Sequence, residues 1–312
     1  MLLIRLLEEE IANQYPKQKM RCPTHLSIGQ EAIGAAVGLI LSKKDQTVST
    51  HRAHAHYIGK GGDIKAMLAE IFGKSTGCSS GKGGSMHLID RSVGFMGSTA
   101  IVGNTIPVGV GIGLSNKINK NNLVSCVFLG DAAVEEGVFH EAANFAVLHK
   151  LPVLFICENN LYSVYSPLHV RQPSDRQIYK WIEAYGMESH SANGNNPIEA
   201  SLLISSSVEK IRSGMGPIFL EFSTYRWREH CGPNYDNEIG YRSVEEYEKW
   251  KDIDPLKRLK NELIEKGWLN EDTSEKLISS LSLKVEEAFR FAKDSPFPDQ
   301  SDAYKHVLAE EQ

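Results

Sequence analysis

The stretch Gly130–Asn160, GDAAVEEGVFHEAANFAVLHKLPVLFICENN, decides the fold. It begins where one apolar run, LVSCVFLG (Leu123–Gly130), ends. It passes through a helix-like segment from Val138 to His149 and closes just beyond a second run, PVLFIC (Pro152–Cys157). Short runs rich in β-branched and aromatic residues are the pattern of strands buried on both faces of a sheet. Strand, helix and strand in that order form a crossover that lays the two strands parallel, with both C-terminal ends on one sheet edge. Asp131 and Asn160 are then expected to face one crevice. If the strands are immediate neighbours, about 4.8 Å apart, a carboxylate and a carboxamide oxygen can reach one hard cation. Oxygen-only ligation that leaves room for phosphate oxygens describes Mg²⁺ rather than Zn²⁺. Backbone N–H groups at Ala132 and Ala133 are expected to face a phosphate, with the positive end of the following helix behind them. Each residue alone has a plainer reading: an Asp after a strand also caps a helix, and an Asn pair also makes a turn.

Outward from this unit the alternation continues. PIFLEFS (Pro217–Ser223) reads as a third strand, preceded by a helix over Pro197–Arg212, which argues for an α/β fold with a parallel sheet wound by helices. PVGVGIGLSNKI (Pro107–Ile118) reads as a helix whose Gly109 and Gly113, four apart, let another segment approach closely. The first 45 residues read as two helices, the second from about Gly29 to Leu41. Thr50–Gly103, with four of the eleven histidines and the run GCSSGKGGSMH, has no sustained period and is expected to be loop that follows a ligand or partner surface. The last quarter reads as helical, with stripes Leu256–Leu259–Leu263 and Leu277–Leu281–Val285–Phe289 and a capping box at Asp272 and Glu275. No linker or repeat interrupts the chain, so one domain over 1–312 is expected, with 243–312 as its helical C-terminal extension.

Composition narrows the function. With 34 basic against 39 acidic side chains, the charge of −5 gives no electrostatic footprint for nucleic acid or anionic membranes. The longest apolar run, Ile33–Leu41, is roughly half of a bilayer span. MLLIRLLEEEIANQY reads as an amphipathic surface helix, not a targeting peptide. Five cysteines, odd in number and without CxxC spacing, point to a reducing, cytoplasmic setting, no structural zinc, and buried thiols at Cys126 and Cys157. The histidines His51, His54, His56 and His87 form no helical i, i+4 pair with a nearby acidic ligand, so solvated or supporting roles are expected for them rather than a metal cluster. GVGIG lies inside a predicted helix, not directly after a strand, which argues against a nicotinamide-binding Rossmann oxidoreductase.

With its flanking blocks, the opening stretch is recognisable. GDAA…ENN resembles the thiamine-diphosphate motif. CPTHLSIGQEA, THRAHA, GKGGSMHL, AIVGNTIPVGVGI, FICENNLYS and TYRWREH occur in the order seen in the alpha subunit of the thiamine-dependent first component of 2-oxoacid dehydrogenase complexes. That family comprises the pyruvate, branched-chain 2-oxoacid and acetoin dehydrogenases. The blocks run in register to about Arg242, and the last seventy residues match only in being helical. The resemblance implies a thiamine-diphosphate-binding fold in which Asp131, Asn160 and the backbone carbonyl of Tyr162 hold Mg²⁺ on the cofactor's diphosphate. It also implies that Arg52 pairs with that diphosphate through a charge-assisted fork. Ile101 is implied as the apolar wedge that bends the cofactor, Val102 as a contact of its pyrimidine, and His25 and His230 as groups facing substrate and diphosphate.

The implied reaction is decarboxylation of a 2-oxo acid, with the cofactor as electron sink and the acyl group passed to lipoamide. The glutamate that activates the cofactor is implied to come from a beta subunit, which gives an α₂β₂ assembly and, beyond it, contact with a dihydrolipoyl acyltransferase. Two departures stand out. His51 occupies the position where the family usually has Tyr or a similar residue. REHCGPN, with Cys231, replaces the usual loop and its regulated serine. The altered loop leaves open a thiamine-dependent carboligase, or an acetoin-type dehydrogenase, that passes the activated aldehyde to a non-lipoyl acceptor. A catalytically silent partner subunit is a further alternative, against which Asp131 and Asn160 argue.

Overall fold

The computed structural model describes residues 1–20 and 22–305, so the last seven residues of the expected 1–312 unit lie outside the described residues. Eight strands are present among these: β1 (Gln46–Ser49), β2 (Phe95–Ser98), β3 (Ser125–Gly130), β4 (Val153–Asn159), β5 (Tyr162–Ser163), β6 (Ser166–Pro167), β7 (Glu188–Asn193) and β8 (Ile218–Ser223). Six of them form a parallel sheet in the order β2-β1-β3-β4-β8-β7, while β5 and β6 make a small antiparallel hairpin. The helices are α1 (Leu2–Gln14), α2 (Glu31–Ile40), α3 (His54–Gly59), α4 (Ile64–Ile71), α5 (Thr105–Asn119), α6 (Gly137–Leu148), α7 (Leu168–Arg171), α8 (Ile178–Glu183), α9 (Pro197–Arg212), α10 (Val244–Asp252), α11 (Pro255–Glu265) and α12 (Glu271–Asp294).

Period-2 alternation splits each central strand between two layers. Val127 and Leu129 of β3 and Val153 and Phe155 of β4 pack with Val110 of α5, Phe139 of α6 and Ile182 of α8. Cys126, Phe128, Leu154 and Ile156 face the other way, onto Ile33 and Val37 of α2 and Ile204 and Val208 of α9. Each such buried side chain contributes about 1.5–3 kcal/mol relative to leaving it exposed. The expected close approach at α5 is present: a Cβ built on Gly113 would lie 2.5 Å from Val153 Cγ2, and one on Gly109 would collide with Val127. A third cluster joins α1, α4 and α12 through Leu7, Leu68, Val285 and Phe289. Cys126 and Cys157 are fully buried free thiols, as expected, and burial pushes both thiols well above their ordinary pKa.

The structure corrects the sequence reading in four places. The expected loop Thr50–Gly103 contains α3, α4 and β2, whose short lengths hide their periodicity. Strands β1 and β7, with Gln46, Glu188 and His190, carry too few apolar residues to announce themselves. The last helix begins at Glu271, capped by Asn270 with Thr273 in a reciprocal capping box, rather than at the Asp272–Glu275 pair. Finally, α6 begins at Gly137, after a 3₁₀ turn over Ala133–Glu135. Ala132 caps that turn and Ala133 opens it, so neither lies in the first turn of α6, where the helix dipole acts. No helix among the described residues is long and apolar enough to cross a membrane.

The glycine-rich run after α4 is ordered by a buried carboxylate. Glu70 accepts the N–H groups of Ser79 (2.7 Å), Gly81 (2.9 Å), Gly83 (2.6 Å) and Gly84 (3.1 Å). These donors are spent on the protein's own anion, which argues against a phosphate cradle there.

Candidate functional site

The chain runs from β1 to β2 on one side, while from the adjacent β3 it runs to β4 on the other, so the connections leave the neighbours β1 and β3 in opposite directions. At such a switch the loops diverge and open a crevice at the C-terminal ends of the strands. The segment after β1 carries Thr50, His51 and Arg52; Asp131 follows β3; Asn160 follows β4. Because β3 and β4 are hydrogen-bonded neighbours in register, Gly130 opposite Glu158, Asp131 and Asn160 emerge on the same rim.

A cavity of about 190 Å³ occupies this rim. It is lined by His25, His51, Arg52, Val102, Asp131, Ala132, Ala133, Asn160, Tyr162 and His230, which brings together every site residue expected from the sequence except one. The exception is Ile101, which does not line the cavity and is 63% exposed. Gln30, Glu158, Thr50 and Met86 also line it and were not singled out. Gln30 and Glu158 lay inside the quoted blocks IGQEA and ENN; what hid them was that neither has a motif spacing of its own.

Asp131 is buried, and burial pushes its carboxyl above the usual range, while the Arg171 guanidinium opposes that shift. Arg171, at the end of α7, pairs with Asp131 and reaches Glu135 Oε1 at 2.6 Å, where Gln172 also donates at 2.8 Å. Arg171 is thus a site residue that the sequence did not reveal, forty positions from its partner. Asn160 Oδ1 accepts the Tyr162 N–H at 3.2 Å, and Leu161 between them is left-handed at φ 73°. That conformation is costly for Leu and holds the chain in a tight turn at the rim. The Tyr162 hydroxyl donates to Glu246 at 2.7 Å, so its side chain is committed elsewhere and Tyr162 has its backbone to offer a metal.

Arg52 is anchored from behind by two of its guanidinium donors. Its guanidinium donates to the Leu26 carbonyl at 2.5 Å and to the His230 carbonyl at 3.2 Å, tying the segments after β1 and β8 together. The loop bearing His230 is no solvated charge cluster: buried Arg226 and Arg242 both pair with Asp236, and Arg226 also holds the Val164 carbonyl of the β5–β6 hairpin at 2.9 Å.

The histidines divide into two groups. His54 and His56, expected to be solvated or supporting, are buried and support. His54 bridges Glu8 (3.1 Å) and Ser85 (2.8 Å). His56 bridges Ser49 (2.7 Å) and Glu158 (3.1 Å) while stacking on Phe128. His25, His51 and His230 instead converge, with ring centroids 4.6, 4.9 and 5.3 Å apart. Burial, followed by the Arg52 charge, lowers all three, His51 to about 4 and His230 to about 3, so they are neutral near pH 7.

The donor set fits a magnesium diphosphate. Asp131 and Asn160 supply hard oxygen ligands. Among the described residues, Gln30 Nε2 and His25 Nδ1 are buried polar atoms without a partner, the kind of atoms that a bound anion or its ion would satisfy.

The family profile described as "Dehydrogenase E1 component" matches residues 1–301. The chain belongs to the dehydrogenase E1 component family. It is 37% identical over 307 residues to the pyruvate dehydrogenase E1 component subunit alpha of Rickettsia bellii (strain RML369-C), covering 98% of this chain and 93% of that relative. It is 35% identical over 317 residues to the subunit of the same name from Porphyra purpurea (99% and 91%). To that of Rhizobium meliloti (strain 1021) it is 34% identical over 309 residues (99% and 88%). The resemblance read from the blocks is borne out, and the similarity extends past Arg242 through the helical C-terminal segment. This E1 family chain is an enzyme component for which the family implies thiamine diphosphate, and its parallel sheet wound by helices is consistent with the expected fold.

Proposed function

We propose that this E1 family chain is the alpha subunit of a thiamine-diphosphate- and Mg²⁺-dependent 2-oxoacid dehydrogenase, its active site completed by a beta subunit in an α₂β₂ assembly. The observation that carries the proposal is the meeting of Asp131, Asn160, Arg52 and His230 in one cavity at the sheet's switch point. In this reading Asp131, Asn160 and the Tyr162 backbone hold Mg²⁺. Arg52 and Gln30 take the diphosphate, with Ala132 and Ala133 beside it. Val102 contacts the pyrimidine, and Ile101, next to it in the chain and exposed, is the wedge. The bound cofactor supplies the electron sink for loss of CO₂ from the 2-oxo acid.

The chain's own residues position the reaction. Neutral His25, His51 and His230 present imidazoles that can donate to a substrate carboxylate or carbonyl without introducing further fixed charge. Arg52, pinned to the His230 carbonyl, keeps the His230 loop over the cavity. His56 orients Glu158, which lines the cavity and whose Oε1 has no hydrogen-bond partner among the described residues.

The beta chain finds support in an exposed apolar face. Val108 and Ile118 of α5, with Phe145 and Leu148 of α6, are 51%, 68%, 39% and 73% exposed, and Ile101 and Val102, just ahead of α5, are exposed too. An exposed apolar face that starts next to cavity-lining Val102 and runs along α5 and α6 is where a subunit that completes the site would dock. A 2-oxo acid substrate, lipoamide on a dihydrolipoyl acyltransferase as acceptor, and a cytoplasmic location belong to the same proposal, as does a single unit in which 243–312 is the helical extension. Transfer to a non-lipoyl carbonyl remains the second reading, favoured by the REHCGPN loop, in which Cys231 is exposed.

Calorimetric titration of thiamine diphosphate with Mg²⁺ into the chain, alone and co-expressed with its beta chain, tests the reading. Metal-dependent binding, with decarboxylation of a 2-oxo acid only in the two-chain sample, is the expected result. Full decarboxylase turnover by the chain alone would contradict it.

A further inference from the structure

The convergence of His25, His51 and His230 asks for a ligand other than substrate. One ring nitrogen from each lies within 4.8 Å of the others. Among the described residues none of the three rings has a hydrogen-bond partner, and the buried Nδ1 of His25, a residue only 6% exposed, is one of the unpartnered atoms. The other described histidines that are not exposed behave differently: His54, His56, His140 and His190 each have an oxygen partner that fixes the ring. The buried lone pair at His25 is costly to leave without a donor or an electrophile, and the half-buried His51 and His230 bring two more unengaged imidazoles into contact with it.

We propose that His25, His51 and His230 form a second, nitrogen-ligand metal site that takes Zn²⁺ in the cofactor-free chain and thereby blocks the cavity. Three imidazoles with an open fourth position are a ligand set suited to Zn²⁺ and disfavoured by Mg²⁺, which selects the oxygen ligands Asp131 and Asn160 across the same cavity. Zn–N bonds of about 2.0–2.1 Å place tetrahedral ligands about 3.4 Å apart, so the rings need to close by up to about 1.4 Å. Rings without hydrogen bonds can make that rotation. The neighbouring Arg52 charge opposes a cation. Its guanidinium is nevertheless tied to two backbone carbonyls, and the Glu158 and Asp131 carboxylates line the same cavity. His51 is the residue that makes this site possible. The reading from sequence sought a metal among His51, His54, His56 and His87 and found no spacing for one. The fold instead groups His51 with residues 26 positions before and 179 positions after it.

This inference rests on the proposed function only in expecting zinc and the cofactor to exclude each other; the ligand set stands without it. The test is titration of the full-length chain, free of cofactor and Mg²⁺, with Co²⁺ followed in the visible spectrum and with Zn²⁺ followed by calorimetry. Expected is one ion per chain with the intense bands of tetrahedral Co²⁺, weakened at least about tenfold in His51→Phe and in His230→Gln. The same site should be retained in Asp131→Asn, and saturating Zn²⁺ should weaken Mg²⁺-dependent binding of thiamine diphosphate at least about tenfold. Far-UV circular dichroism of each variant checks that it is folded. Should His51→Phe misfold, His51→Tyr serves the same purpose. Zinc binding that survives loss of His51 or vanishes in Asp131→Asn would overturn the site, as would an octahedral Co²⁺ spectrum. Failure of the proposed function shows separately, as a lack of Mg²⁺-dependent cofactor binding in the wild-type chain without zinc.

Discussion

Arg171 holds Asp131: the guanidinium at the end of α7 pairs with the carboxylate at the end of β3 and extends to Glu135 on the same turn. A cationic side chain thus sits on the residue assigned to the metal, and an incoming Mg²⁺ has to displace or share with it. Taking Arg171 away leaves Asp131, 2% exposed, without its compensating charge. Breaking a buried pair from one side costs about 3–5 kcal/mol, and the partial exposure of Arg171 moves this case toward the low end. Arg171→Gln is expected to lower the thermal stability of the metal-free chain and to bind Mg²⁺ with thiamine diphosphate about fivefold tighter, the yield of removing a competitor worth about 1 kcal/mol. Differential scanning calorimetry with and without Mg²⁺ reads both; unchanged affinity would mean that Arg171 does not compete.

Asp131→Asn preserves the side-chain shape while removing the charge. Metal-dependent cofactor binding is expected to fall by at least about 100-fold, because a carboxamide is a far weaker ligand for a hard divalent cation than a carboxylate. Calorimetric titration at fixed Mg²⁺ measures this. Binding within threefold of wild type would remove Asp131 from the metal's ligands.

Stability should fall on the acid side of neutrality. The folded-state pKa values of His51, about 4, and His230, about 3, lie below the ordinary histidine value, as does that of His25. The unfolded chain therefore binds more protons than the folded one as pH drops below about 6.5, and folding stability decreases with falling pH by about 1.4 kcal/mol per pH unit per imidazole. The loss runs from about pH 6.5 down to the folded values and is absent above pH 7. Urea unfolding between pH 7.5 and 5, in chelator-treated buffer, should show this slope. It should be reduced in His51→Phe, and an identical slope in that variant would contradict the assignment.

The glycines of α5 are not equivalent. Gly109 and Gly113 face β3 and β4 at contact distance, whereas a Cβ on Gly111 would meet nothing within 4 Å. Gly109→Ala should destabilise the isolated chain by about 1–3 kcal/mol through overpacking against Val127. Gly111→Ala should raise stability by about 0.5–1 kcal/mol through the helix-interior preference for alanine. Equal effects in urea titrations would show that the face assignment of α5 is wrong.

The exposed face formed by α5 and α6 is expected to carry the beta chain. Ile118→Asp combined with Leu148→Asp should abolish co-purification of the two chains while leaving the melting temperature of the chain alone within about 2 °C, since both side chains are already mostly in water. Retained co-purification would place the beta chain elsewhere.

Several pieces of this protein follow from local sequence alone. The β3–α6–β4 unit and α9 are legible because each repeats a period over enough residues, and a parallel crossover then forces Asp131 and Asn160 to one edge whatever surrounds them. Burial of Cys126 and Cys157 follows from the same apolar runs. Tertiary structure alone decided the rest. Of the sheet's outer strands, β2 is only four residues long and β7 is polar, and what makes them strands is hydrogen bonding to neighbours remote in sequence. Arg171 reaches Asp131 only because the β5–β6 hairpin folds α7 back over the rim. His25, His51 and His230 come from three separate segments and meet only because those segments surround one sheet edge. A local pattern reports which face of a helix or strand is apolar; it carries no information on which distant side chains share a cavity, because that is set by how the layers pack.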